Sequence, residues 1–181
     1  MNRLAQEAVI IGLVRRLDDK GSWCGETHIQ KSAYLLQGVF DIDFDFDFIL
    51  YKHGPFSFRF RDELASMRDD RLLEREPQDP PYGPRIVVAD RGRELEERFA
   101  QTMARHTEAL DWITERVGDR GVVELERLAT ALWVTDHQPG TVGDRAARLI
   151  ELKPHIDYEH ALAAVRDIDA MRDEATQLAT A

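Results

Sequence analysis

Four aspartates alternate with apolar residues between positions 41 and 48 and form one group of potential metal ligands. A calcium loop of the EF-hand type begun at the first of them would need glycine at position 46 and glutamate at position 52. Phe46 and Lys52 stand there instead. The period of two predicts a strand with a buried aromatic face and an exposed acidic face. This acidic face could either keep a sheet edge soluble or dock a basic partner. The four acidic residues are Asp41, Asp43, Asp45 and Asp47.

Two further pairs of residues could support metal binding or nucleophilic catalysis, namely His155 with His160 and Cys24 with His28. The two histidines lie on either side of a proline turn, so they do not share a helix face as a zinc-binding pair would. Cys24 has no recognisable third partner or oxyanion-stabilising group. The glycine motifs that bind phosphate and the Gly-x-Ser-x-Gly elbow are both missing from the sequence. We therefore predict a protein that is not an enzyme and holds no cofactor or metal.

Basic side chains between positions 52 and 75 could contact phosphates or base edges of DNA. That segment holds six Lys and Arg residues against five Asp and Glu residues, so binding there would release few counterions. A helix-turn-helix also joins its helices by a turn of about 3–4 residues, whereas a predicted strand separates the two helices here. DNA contact is thus one interpretation, and ion pairing with neighbouring carboxylates is the other. The side chains that could contact DNA are five of these Lys and Arg residues together with a histidine, namely Lys52, Arg59, Arg61, Arg68, Arg71 and His53.

The elements that position these residues follow from periodicity and capping signals. Apolar residues at helical spacing predict helices over 2–20 and from Thr27, where Thr27 and Gln30 have the spacing of a capping box. A strand is predicted from 41 to 51 and ends at Gly54 and Pro55, and Ser57 then caps a helix over 57–69. Two short strands, 72–76 and 85–90, flank a proline-rich loop over 77–84.

The remainder of the chain is predicted to be helical, over 93–117, 122–137, 141–152 and 158–178. We therefore expect an α+β fold. Residues 1–92 would form a winged-helix-like domain, in which helices are combined with a small antiparallel sheet and a wing. Residues 93–181 would form an all-helical carboxyl-terminal region that packs on this domain.

Composition and charge exclude several classes of protein. The chain has 181 residues, 43% of them hydrophobic, which is enough for a substantial core, and its formal net charge of −10 argues against a general affinity for polyanions. Residues 1–92 contribute −3 of this charge and residues 93–181 contribute −7. A single cysteine, and the absence of a recognisable signal peptide or spanning segment, predict a reduced, cytoplasmic protein with no membrane association.

Several short motifs resemble those of a known group of proteins. The chain contains Gln30-Lys31 followed by Tyr34-Leu35-Leu36-Gln37, then Tyr51-Lys52-His53-Gly54-Pro55-Phe56-Ser57, and later Leu128-Ala129-Thr130 and Glu151-Leu152-Lys153-Pro154-His155. This pattern resembles the uncharacterised YwgA-like bacterial and archaeal proteins, and more distantly it is similar to the Panacea or SocA-type antitoxin domain. The resemblance implies a winged-helix-like module without a known catalytic centre, in families linked to regulation or to conflict with phages and toxins.

Two functional hypotheses follow from these observations. The first is a non-enzymatic regulatory or adaptor protein that binds another protein, in an antitoxin-like or defence-associated role, with long helices that are suited to forming a homodimer. The second is a transcriptional regulator that binds DNA through the helix over 57–69 and the wing. Both hypotheses assign the contact to the same six residues: Lys52, His53, Phe56, Arg59, Arg61 and Tyr82.

Overall fold

The fold is mixed α/β and mostly helical, with two small antiparallel hairpins. The computed structural model describes residues 1–40, 42–79 and 83–179. In chain order its elements are α1 (Arg3–Asp19), α2 (Glu26–Phe40), β1 (Ile49–Tyr51), β2 (Gly54–Phe56), α3 (Phe58–Asp69), β3 (Leu73–Glu76), β4 (Arg85–Val88), α4 (Asp90–Arg98), α5 (Ala100–Val117), α6 (Val122–His137), α7 (Val142–Leu152) and α8 (Tyr158–Ala179).

Helices α1 and α2 lie at the centre. Helix α1 is buried at every position from Glu7 to Val14 and packs against α4, α5, α2 and β4, while α2 packs against α5, α6 and α8. Buried residues from both halves of the chain belong to one hydrophobic cluster. Gly92, at the predicted domain boundary, lies within α4. A Cβ atom at this position would come within 2.3 Å of the Leu72 carbonyl oxygen. The division into residues 1–92 and 93–181 stays a prediction.

The two hairpins form separate sheets, β1 with β2 and β3 with β4. The predicted pair of strands around the proline-rich loop is confirmed as β3 and β4, which begin and end within two residues of the predicted bounds. No strand joins the two hairpins within the described ranges, so the winged-helix arrangement stays a prediction. None of the helices in these ranges is both long and apolar enough to cross a membrane.

The predicted strand over 41–51 is wrong for most of its length, because only Ile49–Tyr51 finds a partner strand. Residues 42–48 are irregular, and the positive φ of 47° at Asp45 interrupts any extended run. The alternation nevertheless predicts burial correctly, since Ile42, Phe44 and Phe46 are buried while the aspartates between them are exposed. Asp41 lies outside the described residues.

Two other local predictions are wrong. The long helix predicted over 93–117 is two helices separated at Phe99, and this break lets both α4 and α5 pack along α1. The capping box at Thr27 does not form, because α2 begins at Glu26 and the Gln30 side chain bonds to Ser57 instead. By contrast, the Ser57 cap is confirmed, since its hydroxyl accepts a hydrogen bond from the Phe60 N–H at 3.1 Å.

Candidate functional site

The hairpin of β1 and β2 turns at Lys52 and His53, with Tyr51 paired to Gly54 and Ile49 paired to Phe56. The strand end predicted at position 51 agrees with the end of β1, but Gly54 and Pro55, which were expected only to interrupt the strand, begin β2. Gly54 has a φ of 82°, which favours glycine, and a Cβ there would lie 3.0 Å from the Thr130 hydroxyl. The hairpin thus approaches α6 at a position that requires glycine.

The outward face of this hairpin, together with the first residue of α3, carries a cluster of exposed apolar side chains. Ile49, Tyr51 and Phe58 are 46%, 55% and 42% exposed, and Phe56 is half-buried between them. Ring centroids lie 5.9 Å apart for Tyr51 and Phe56, 5.7 Å for Tyr51 and Phe58, and 5.1 Å for Phe56 and Phe58. The Arg61 guanidinium stands 5.2 Å from the Phe58 ring centroid. We call Ile49, Tyr51, Phe56 and Phe58 the aromatic patch.

The inner side of the same hairpin is held by buried polar side chains. Lys31, which is only 1% exposed, donates from Nζ to the Pro55 carbonyl at 2.6 Å. Gln30 accepts from the Ser57 N–H and donates to the Ser57 carbonyl, each at 3.0 Å. Lys153 donates to the Tyr51 carbonyl at 3.3 Å and also to the Lys52 carbonyl. Three side chains from α2 and the end of α7 therefore fix the hairpin through its backbone.

A buried carboxylate balances these lysines. Glu126 of α6 forms an ion pair with Lys153, with 3.0 Å between Oε1 and Nζ. The pKa of Lys31 is lowered to about 8, mainly by burial; Glu126 opposes this shift and Lys153 adds to it. Two exposed histidines also approach this carboxylate, His53 at 3.6 Å and His155 at 4.0 Å. We call Gln30, Lys31, Glu126 and Lys153 the polar anchor.

Five of the six residues assigned to partner or DNA contact fall at or beside the aromatic patch. Lys52 and His53 form the exposed hairpin turn, and Phe56 is part of the patch. Arg59 lies 3.4 Å from Asp45 and 3.9 Å from Asp47, and Arg61 lies 2.8 Å from Asp62. Both guanidinium groups are thus already paired with carboxylates. The sixth residue, Tyr82, lies outside the described residues.

Sequence reasoning left Tyr51, the most exposed aromatic residue among those that the structure describes, out of the contact set. The period-two alternation places the odd-numbered positions on the exposed face, and continued beyond Asp47 it would place Ile49 and Tyr51 there too, so this signal was available and was not used. Glu126 and Lys153 were also missed. The only available signal for Lys153 is its place in the Lys153-Pro154-His155 segment that carries part of the family resemblance. The same motifs converge in space, since Lys31, Pro55 and Lys153 meet at the polar anchor.

The other residues considered for catalysis are engaged elsewhere. Cys24 is buried, which raises the pKa of its thiol to about 12 and disfavours the thiolate. His28 is buried against Ser22 and the Val117 carbonyl, and this burial lowers its pKa. His160 bonds to Asp157 at the start of α8. In the described part of the chain, no group of three or more His, Cys, Asp and Glu side chains is arranged to hold a metal ion.

Comparison with known proteins adds no functional assignment. No protein-family model matches the chain, and no curated protein is detectably related to it. A functional proposal therefore depends on the surface chemistry of the aromatic patch and on what holds it in place.

Proposed function

We propose that this chain is a non-enzymatic regulatory or adaptor protein that binds another protein through the aromatic patch. The observation that carries this proposal is a contiguous group of apolar side chains on the outward face of the first hairpin and the start of α3, with a guanidinium over the Phe58 ring. Aromatic residues and arginine are enriched in the energetically dominant parts of protein interfaces. A clustered apolar patch on a protein surface commonly marks such a contact.

The polar anchor supports the same proposal, because a fixed patch loses little conformational freedom on binding. Lys31, Gln30 and Lys153 hold backbone atoms of the hairpin and leave its aromatic side chains facing outwards. The resemblance to YwgA-like proteins, and the more distant one to antitoxin domains, agrees with a regulatory or antitoxin-like role. In this proposal Lys52 and His53 extend the contact at the hairpin turn.

DNA binding through α3 is the alternative function. Its arginines Arg59 and Arg61 would have to break their ion pairs with Asp45, Asp47 and Asp62 before they could bind phosphate oxygens. This cost reduces the binding free energy gained from each phosphate contact. An electrophoretic shift at low salt that Arg59→Ala and Arg61→Ala both weaken would favour this alternative. Absence of any shift at low salt would exclude it.

The protein-binding proposal is tested with matched double variants. Tyr51→Ser with Phe58→Ser should abolish recovery of a partner in a pull-down from the native host. Val123→Ser with Tyr158→Ser is the control, because it also removes two exposed apolar side chains, outside the aromatic patch. Equal recovery by both double variants, or no partner with the unaltered chain, would refute the proposal.

A further inference from the structure

Strand β1 forms an edge of its sheet and is apolar along its whole length. Within the described ranges its strand partner is β2, and no other element packs extensively on it. Ile49 and Tyr51 are exposed, and Leu50 between them is half-buried. Proteins commonly protect a sheet edge with charged residues or proline, because an unprotected edge pairs with another strand. No residue of β1 supplies such protection.

The outer side of β1 presents free backbone groups at Leu50. This residue is paired with Pro55, which has no N–H to donate. The hydrogen bonds between the two strands therefore run through the residue pairs on either side, and the N–H and carbonyl of Leu50 point away from β2. No hydrogen bond from another described residue reaches either group. A strand paired antiparallel with Leu50 would satisfy both groups.

The side chains of β1 suit pairing with a second copy of the same strand. With Leu50 opposite itself, Ile49 of each copy lies opposite Tyr51 of the other. Pairs of a β-branched and an aromatic side chain across two antiparallel strands stabilise a sheet. Because Ile49 and Tyr51 are exposed, no other part of the fold has to move to form these pairs.

The charges at the two ends of β1 favour the antiparallel direction. Asp47 lies two residues before β1 and Lys52 follows it directly, and both are exposed. Asp47 is 3.9 Å from Arg59, yet its side chain stays 92% exposed. Antiparallel pairing of two copies brings the acidic end of each strand near the basic end of the other, whereas parallel pairing would bring like charges together.

We propose that two copies of this chain associate edge to edge through β1, antiparallel about Leu50, so that their two hairpins form one continuous sheet. The two-fold axis stands perpendicular to this sheet, which keeps both aromatic patches on the same face and leaves that face open to another protein. Since only three residues of each copy share the edge, the contact is small and the dimer is weak. The long helices, from which the sequence suggests a homodimer, take no part in it. This inference does not depend on the proposed protein-binding function.

Sedimentation velocity on the full chain, from micromolar to near-millimolar concentration, tests the proposal. We expect a reversible dimer at the higher concentrations. Leu50→Pro removes the outward N–H and no hydrogen bond to β2, and it should raise the dimer dissociation constant ~10- to 100-fold, because a symmetric dimer loses one hydrogen bond from each copy. An unchanged circular dichroism spectrum shows that the variant is folded. A monomer at every concentration of the unaltered chain, or a dimer that the folded proline variant leaves equally strong, would overturn the proposal.

A charge exchange tests the register without the proline variant. Ile49→Glu and Tyr51→Lys each place a charge opposite an apolar side chain and should weaken association ~3- to 30-fold, the value of the two cross-strand pairs that are lost. Mixing the two variants sets the new carboxylate opposite the new ammonium group and should restore association. Tyr158→Glu, at a residue as exposed as Ile49, is the control and should leave the dimer intact. Failure of the mixture to associate better than either variant alone, or an equal loss with Tyr158→Glu, would contradict pairing about Leu50.

Discussion

The two hairpins are held by opposite kinds of interaction. Strands β3 and β4 direct Leu73, Ile86 and Val88 into the hydrophobic core, where all three are buried. Strands β1 and β2 direct their larger side chains outwards and are fixed instead by Lys31 and other buried polar groups that bond to their backbone. A hairpin anchored through its backbone can expose its apolar side chains, whereas one anchored through its side chains cannot. This difference leaves the first hairpin with an aromatic surface for recognition.

The second hairpin should be the more sensitive to loss of an apolar side chain. Ile86→Ala removes buried methyl and methylene groups from the core and should lower the free energy of unfolding by about 2–5 kcal/mol. Urea denaturation at pH 7 measures this change. A loss below about 1 kcal/mol would mean that apolar packing does not hold this hairpin.

The first hairpin should instead respond to loss of a buried charge. Lys31→Met leaves the Pro55 carbonyl without its donor and Glu126 without a neighbouring positive charge, and should cost about 1–3 kcal/mol, the usual penalty for an unpaired buried polar group. Hydrogen exchange should quicken in β1 and β2 and remain unchanged in β3 and β4. If hydrogen exchange quickened equally in both hairpins, Lys31 would not hold the first hairpin in particular, and the two hairpins would not differ in how they are anchored.

Stability should also rise with pH above 8 because of Lys31. Its pKa is lowered to about 8 in the folded chain, whereas the unfolded side chain titrates near 10.5. Between these values the unfolded state binds more protons than the folded state, so the free energy of unfolding increases with pH. Thermal melts should show this increase in the unaltered chain between pH 8 and 9, below the range in which the raised pKa of Cys24 acts in the opposite direction, and Lys31→Met should not show it. If stability changed with pH at the same rate in the unaltered chain and in Lys31→Met, the assignment of this rise to Lys31 would be contradicted.

A buried carboxyl on α1 should produce a separate change at lower pH. Burial and a hydrogen bond to Glu63 raise the pKa of Glu7 to about 7 from 4.5, although Arg3 opposes this effect. The folded state therefore holds the proton that the unfolded state releases, and stability falls as pH rises from about 4.5 to 7. Glu7→Gln should reduce this fall in thermal melts, and it should leave the rise above pH 8 intact. If Glu7→Gln removed both the fall in stability below pH 7 and the rise above pH 8, the two pH dependences would not arise from separate groups.

The smallest effect on stability should come from the aromatic patch itself. Tyr51→Ala removes a side chain that is 55% exposed, so the free energy of unfolding should change by less than about 0.5–1 kcal/mol. Chemical denaturation compares this variant with Ile86→Ala. A loss as large as that of Ile86→Ala would show that the patch is structural rather than available for contact.

The sequence predicts the elements that depend on local signals. Ser57 caps α3 through its own hydroxyl, and the Asp and Phe alternation before β1 sets burial even without a strand. Long-range partners were not predictable in the same way. Lys31 is buried because a carbonyl 24 positions away needs a donor, and nothing in the helical pattern of α2 specifies that carbonyl. The contact between β2 and α6 is likewise a tertiary relation that no local pattern specifies, whereas the exposure of Tyr51 follows from the alternation that begins before β1.

Site-specific photo-cross-linking tests the central claim most directly. A benzophenone amino acid replaces Tyr51 in one variant and Tyr158, which is similarly exposed on α8, in another. We expect the first variant, irradiated in the native host, to give a discrete adduct with another protein that disappears when Phe58→Ser is added. The Tyr158 variant should give none. No adduct at Tyr51, or the same adducts at both positions, would contradict a protein-binding role for the aromatic patch.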